Sequence, residues 1–154
     1  MSERHYQLRI PDEPIAKGRP RVYKGHGITP TRTRQAEQHI RQLFRQQYPR
    51  RQPFHTPVCV DLAFWMRKRG RPDIDNLIKL VSDALNTLAY DDDQQIVEIH
   101  ATRILPDQWA PAKRGGWRQR RGGDPPTYRG KAYEPHTTVT VTPIPEWDPR
   151  KDHA

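Results

Sequence analysis

The nine residues from Val58 to Met66 are largely apolar on both alternations of an extended chain. Val58, Val60, Leu62, Phe64 and Met66 share one face, and Cys59, Ala63 and Trp65 lie mostly on the other. A strand of this kind belongs inside a sheet, so the run predicts a central strand covered on both sides for much of its length. It leads directly into the cationic cluster Arg67-Lys68-Arg69-Gly70-Arg71. After Asp75 the pattern turns helical, with Leu77, Ile78, Val81, Ala84, Leu85 and Leu88 on one broad apolar face. Gln95 to Ile104 then reads as a second strand, with Ile96, Ile99 and Ile104 as its apolar points.

The flanking segments complete a small domain. Tyr6, Leu8 and Ile10 alternate with polar residues as in a short half-buried strand, which Pro11 and Pro14 end. Thr31 or Thr33 caps a helix reaching about Tyr48, with Ala36, Ile40, Leu43 and Phe44 as its apolar stripe. Pro49 stops that helix, and a polar connection runs from Arg50 to Pro57. From Pro106 to Pro135 the chain is rich in Gly, Pro and Arg and reads as a long flexible basic loop anchored by Trp109 and Trp117. Thr138, Thr140 and Thr142 alternate with Val139 and Val141 in a last strand before a polar tail. The 154 residues predict a single domain of α/β (α+β) class, a small mixed sheet packed with two helices.

A net charge of +9, a pI near 10.0 and a mean hydropathy of −1.04 point to a polyanionic partner, above all nucleic acid. No stretch has the length of a membrane span and the first residues lack the apolar run of a signal peptide, which predicts a cytoplasmic protein without membrane contact. The single cysteine, Cys59, cannot form an internal disulfide and reads as a buried small hydrophobe. The seven histidines lack zinc-site spacing, and no CxxC, P-loop, GxGxxG or nucleophile-elbow serine occurs.

Against this basic background the acidic residues around the second helix need a reason. Asp73 and Asp75 precede it and Asp91-Asp92-Asp93 follow it. In an extended segment Asp73 and Asp75 share a side, and Asp75 suits the cap of the helix. Asp93 reaches the same pocket if the following strand lies beside the Val58–Met66 strand. Carboxylates without Cys or His suit Mg²⁺ or Mn²⁺, whereas caps and turns are the ordinary alternative for Asp. Lys79, four residues after Asp75, could stabilise negative charge on a scissile phosphate or simply pair with Asp75 or Asp83 on the surface. The Lys17-Gly18-Arg19-Pro20-Arg21 segment, followed by Tyr23, Lys24 and His26, cannot be regular structure and suits either phosphate contact or solvation. Arg34, the arginine of the first helix nearest that loop, joins it as a candidate, and Arg67, Lys68, Arg69 and Arg71 would hold a phosphodiester backbone.

The run DIDNLIKLVSDALN followed by YDDDQQIVEIH resembles the RusA family of crossover junction endodeoxyribonucleases, the Holliday-junction resolvases of bacteria and their prophages. The pattern is Asp73, Asp75-Asn76, Lys79, Asp83-Ala84-Leu85, then Asp92-Asp93 before Gln95-Ile96, and the basic segment at Lys17–Arg21 resembles the family's N-terminal one. The resemblance implies that Asp73, Asp75 and Asp93 bind Mg²⁺ (or Mn²⁺), that Lys79 assists catalysis, and that Asn76 lies in the DNA-contacting motif. It selects Asp93 by alignment on Gln95. It also implies a homodimer that nicks opposing strands of a four-way DNA junction symmetrically. The Pro106–Pro135 segment is longer and richer in Arg and Gly than the family's hairpin connection. It reads as a DNA-wrapping arm, with Trp117 or Tyr128 stacking on bases, or as a disordered or dimer-covering loop. Two other functions share these features: a non-catalytic protein binding branched DNA, and a nuclease acting on flaps, forks or RNA.

Overall fold

In the computed structural model, which describes residues 4–18, 21–23, 26–28 and 31–151, the alternation at Tyr6, Leu8 and Ile10 forms strand β1 (Tyr6–Pro11). A short ribbon of β2 (Arg21–Tyr23) and β3 (His26–Ile28) follows. Next come α1 (Thr31–Gln47), β4 (Val58–Trp65), α2 (Ile74–Ala84) and β5 (Ile96–Ile104). Two further ribbons, β6 (Trp109–Pro111) with β7 (Trp117–Gln119) and β8 (Thr127–Tyr128) with β9 (Lys131–Ala132), precede β10 (His136–Pro143).

The α+β class expected from the periodicity is the class observed. The main sheet has the order β1-β10-β4-β5, with β4 and β5 parallel and the other pairs antiparallel. Val58, Val60, Leu62 and Phe64 of β4 form one core with Ile40 and Phe44 of α1 and with Leu77, Leu80 and Val81 of α2. β4 is therefore interior in the sheet, as its composition required, but it is covered by helices on one face only. On the other face Asp61 is exposed and Cys59, Ala63 and Trp65 are half-buried. Trp65 explains the excess of apolar residues there: its ring stacks on His136 at 5.4 Å and meets Tyr133 edge-on at 5.2 Å.

Helix α1 starts at Thr31, and Thr33 lies within its first turn rather than capping it. The buried Thr33 Oγ1 accepts the backbone N–H of Gly18 at 2.9 Å, which pins the basic segment to the helix. Arg41 of α1 donates to the carbonyls of Ala84 (2.9 Å) and Asn86 (2.7 Å). It thereby satisfies carbonyls that the end of α2 leaves without intrahelical partners. Leu77 is fully buried between α2 and the sheet. Truncating it, Leu77→Ala, is expected to cost about 3 kcal/mol of stability in a denaturant titration, the range for a large-to-small change in a tight core.

The Pro106–Pro135 arm, expected as a loop, carries the two ribbons just described, and the beginning of the basic segment's ribbon at Arg21 likewise departs from the expected loop. Two carboxylates organise the arm. Asp107 accepts the backbone N–H groups of Arg129 and Gly130, each at 2.9 Å, and the Thr127 hydroxyl at 2.8 Å. Asp124 holds Arg118 in a two-pronged pair at 2.7 and 2.9 Å and accepts the Arg121 N–H. The Gly130 N–H chiefly, and then Thr127 and Arg129, keep Asp107 below the usual carboxylate range, and Arg118 does the same for Asp124.

Candidate active site

The loop that follows β4 is anchored at both ends. The N–H of Met66 donates to the Ile104 carbonyl at 2.9 Å. Arg103, near the end of β5, donates to the carbonyls of Gly70 (2.6 Å) and Pro72 (3.0 Å). This fixes the backbone just before Asp73. Asp73, rather than Asp75, is the N-cap of α2, in extended conformation, and its side chain makes no capping bond. Asp75 lies in the first turn, and both residues are exposed. The ordinary structural use of an aspartate at this place is thus not made of Asp73, and its carboxylate is left open beside Asp75.

The three consecutive aspartates divide their work. Asp91 takes the His55 ring at 2.6 Å. The Asp92 N–H donates to Gln95 Oε1 at 2.9 Å, and the Gln95 N–H returns to the Asp92 carbonyl at 3.0 Å. The Gln95 amide also donates to Phe54 and Thr56 carbonyls, tying the turn to the start of β4. The neighbouring Asp92 carboxyl is the largest influence raising the Asp93 pKa above its ordinary value, by favouring the protonated form; desolvation and the charges of Asp92 and Asp83 add to it, against the pull of Lys79.

The parallel pairing of β4 and β5 has a strong geometric result. Asp73 follows the C-terminal end of β4, whereas Asp93 precedes β5 at the N-terminal end of the same pair. An α-helix of this length spans roughly 16 Å, so Asp73 and Asp93 lie towards opposite ends of α2. Among the described residues, the metal-type cluster whose ligand atoms lie within 4.8 Å of one another is Cys59, Asp61 and His100, not the three aspartates. The expected convergence of Asp73, Asp75 and Asp93 in one pocket therefore does not occur within one chain. In donor chemistry the aspartates do fit Mg²⁺ or Mn²⁺: all are oxygen donors, Asp73 is uncapped, and Asp93 sits against like charge.

Lys79 projects from the middle of α2, well exposed, with its ammonium 4.0 Å from Asp83. Asp83 is held more closely by Lys17, at 3.1 Å, and Lys17 also pairs with Glu37. Partial burial opposes the Lys17 charge, but the bonds to Glu37 and Asp83 outweigh it and raise its pKa. Lys17 therefore joins the basic segment to both helices, and its backbone N–H donates to the Asn76 carbonyl at 2.9 Å. Lys17, expected on a phosphate, is thus engaged in this internal network.

Several of the remaining described cations line two clefts, one of them beside the start of α2. Lys68 and Arg71 line a cleft of about 340 Å³ together with Gly18, Arg32, Thr33 and Pro72. Arg67, Lys68 and Arg69 line a second cleft, of about 490 Å³, against Trp109, Arg120 and Arg121. Lys68 is common to both, so the two clefts adjoin, and cations outnumber carboxylates in their linings, which also hold Glu13 and Asp124. Arg67 reaches Glu13 at 3.9 Å and Arg69 donates to the Pro106 carbonyl, which fastens the arm to this loop. Arg34 is exposed on α1. Arg19 and Lys24 lie outside the described residues, as do the side chains of Arg21, Tyr23 and His26. Arg32, Arg120 and Arg121 were not singled out by the sequence, because nothing in their spacing tells a cleft-lining arginine from a solvated one.

A family model described as endodeoxyribonuclease RusA matches residues 11–113. Among curated proteins, the uncharacterized protein YqaN of Bacillus subtilis (strain 168) is similar to the chain, with 27% identity over 121 residues, 62% of this chain and 84% of that protein. The family match spans the basic segment, both helices and the two parallel strands.

Proposed function

The chain belongs to the RusA family of endodeoxyribonucleases, and on that premise we propose that it resolves four-way DNA junctions by paired, metal-dependent nicks. The observation that carries this reading is the open Asp73/Asp75 pair at the start of α2, beside a cleft lined by Arg32, Lys68 and Arg71. The cations bind and orient the phosphodiester backbone. Asp73, Asp75 and Asp93 are the residues that would hold Mg²⁺ or Mn²⁺. When bound, such an ion polarises a phosphoryl oxygen and acidifies a water molecule. Lys79, only loosely paired, is placed to offset negative charge near Asp93.

The working unit in this proposal is a homodimer. β5 is an edge strand, and on it Val97 is 63% and Ile99 44% exposed. An unpaired apolar edge is a ready surface for a second strand. Antiparallel pairing of two β5 strands about a two-fold axis sets the start of one beside the end of the other. Asp93 of the partner subunit then approaches Arg103 and the loop carrying Asp73 and Asp75. The dimer unites the divided site and yields two equivalent sites for two cuts.

The reading is tested by mapping cuts on fixed and mobile four-way junctions beside linear duplex, flap and fork controls, with Mg²⁺ or Mn²⁺. Symmetric nicks confined to junctions are expected. Cutting of flaps or forks alone would assign another substrate, and binding without cutting in either metal would make the protein a non-catalytic junction binder. The arm contributes exposed Trp117 and Trp109 around a cleft of about 720 Å³ that also includes Arg69 and Arg129. If Trp117 stacks on an unpaired base, Trp117→Ala should weaken junction binding about tenfold, measured by gel shift, on the scale of one base–aromatic stack.

A further inference from the structure

On the sheet face turned away from both helices, neighbouring strands bring together donors that are far apart in sequence. The parallel register sets Cys59 beside Glu98 and Asp61 beside His100. Residues two apart on a strand share a face, so these four side chains occupy the corners of one small patch. Cys59 Sγ lies 3.8 Å from Asp61 Oδ2, and His100 Nε2 lies 2.7 Å from Glu98 Oε1. One ligand atom each from Cys59, Asp61 and His100 falls within 4.8 Å of the other two. In a tetrahedral zinc site, bonds of about 2.0–2.3 Å place ligand atoms about 3.5 Å apart, so small side-chain adjustments close this set.

We propose that Cys59, Asp61 and His100 form a binding site for a borderline-soft divalent ion of the Zn²⁺ class, with Glu98 orienting the imidazole. A thiolate, an imidazole and a carboxylate select such an ion over Mg²⁺ or Mn²⁺, which prefer all-oxygen sites. A carboxylate hydrogen-bonded to one ring nitrogen fixes the tautomer and leaves the other nitrogen to the ion. On binding, the Cys59 thiol gives its proton to solvent and the sulfur–metal bond forms. The fourth position stays open to water, because Cys59 is half-buried and Asp61 and His100 are exposed. The site is separate from the aspartates of α2: β4 turns Cys59 and Asp61 outward and Val58 and Val60 into the core beneath the helices. Its effect is to clip the edge strand β5 to β4, because ligands come from both strands.

The test uses the full-length protein stripped of metal, with Zn²⁺ and Co²⁺ as probes. One Zn²⁺ per chain is expected, unaffected by millimolar Mg²⁺. The Co²⁺ form should show a thiolate-to-metal charge-transfer band, and the melting temperature should rise by several degrees with Zn²⁺. Cys59→Ser should abolish the band, and His100→Ala should weaken binding at least about tenfold, whereas Asp75→Asn should bind Zn²⁺ like the parent. Far-UV circular dichroism identifies a variant that does not fold, and His100→Ala then carries the decision if Cys59→Ser fails. No stoichiometric Zn²⁺ binding, a Co²⁺ complex without the thiolate band, or unchanged Zn²⁺ affinity in folded variants would each overturn the assignment.

Discussion

Asp75→Asn is expected to lower the rate of junction cleavage at least ~10²-fold, the scale on which one charge-stabilising group acts in a transition state. Junction binding should persist. The substitution keeps the shape of the side chain and removes one negative charge. Among the described residues no hydrogen bond or salt bridge ties the Asp75 carboxylate to the fold, and the residue is exposed. Folding stability should therefore change by no more than about 0.5 kcal/mol, as for a surface substitution away from special features. The cations around Lys68 and Arg71 are untouched, and loss of a like charge near the DNA phosphates can only favour binding. Single-turnover cleavage of a labelled junction with Mg²⁺, beside a gel shift without it, separates the two effects. Cutting at the parental rate would place the metal site away from Asp75.

The parts of the fold that were legible in the sequence are those with long periodic patterns. β4 and the two helices bury stripes that recur over eight or more residues, so tertiary contacts and local pattern agree. The ribbons were not legible for a physical reason. β2, β3 and β6 to β9 contain two or three residues each, too few for alternation to register. In the arm the chain is ordered by Asp107 and Asp124 reaching backbone N–H groups and arginines several residues away. Composition reported the arginines and glycines of the arm but not the carboxylates that organise them.

The candidate site divides along the same line. The acidic groups and the helix between them can be read along the chain, but the assignment of the cap cannot. Asp73 and Asp75 are both good capping residues, and only the backbone of Asp73 shows which one occupies the position. Cys59 read as a buried hydrophobe because its neighbours are apolar. It turns outward instead because alternation in β4 gives the core to Val58 and Val60. Its grouping with His100 depends on the β4–β5 register, a long-range fact with no local sequence signal. Parallel pairing also decides that Asp93 stands apart from Asp73, which no spacing along the chain could disclose.

That separation yields an expectation with an all-or-none readout. Asp75→Asn and Asp93→Asn should each be inactive alone, and an equimolar mixture allowed to exchange subunits should regain nicking. Half of the randomly paired dimers contain one copy of each variant. If each site combines Asp73 and Asp75 of one copy with Asp93 of its partner subunit, the mixed dimer gathers both lesions in one site and leaves the other intact. Regained activity should then approach a quarter of the parental sites, because half the dimers carry one working site out of two. A single intact site cuts one strand, so the product should be nicked junction rather than resolved duplex. If each site lay within one chain, every site in the mixture would carry a lesion and no activity would return. Labelled-strand gels of the mixture, beside each variant alone, distinguish the outcomes. The comparison also survives any ambiguity about which aspartate contributes more, because it depends only on which chain each one comes from.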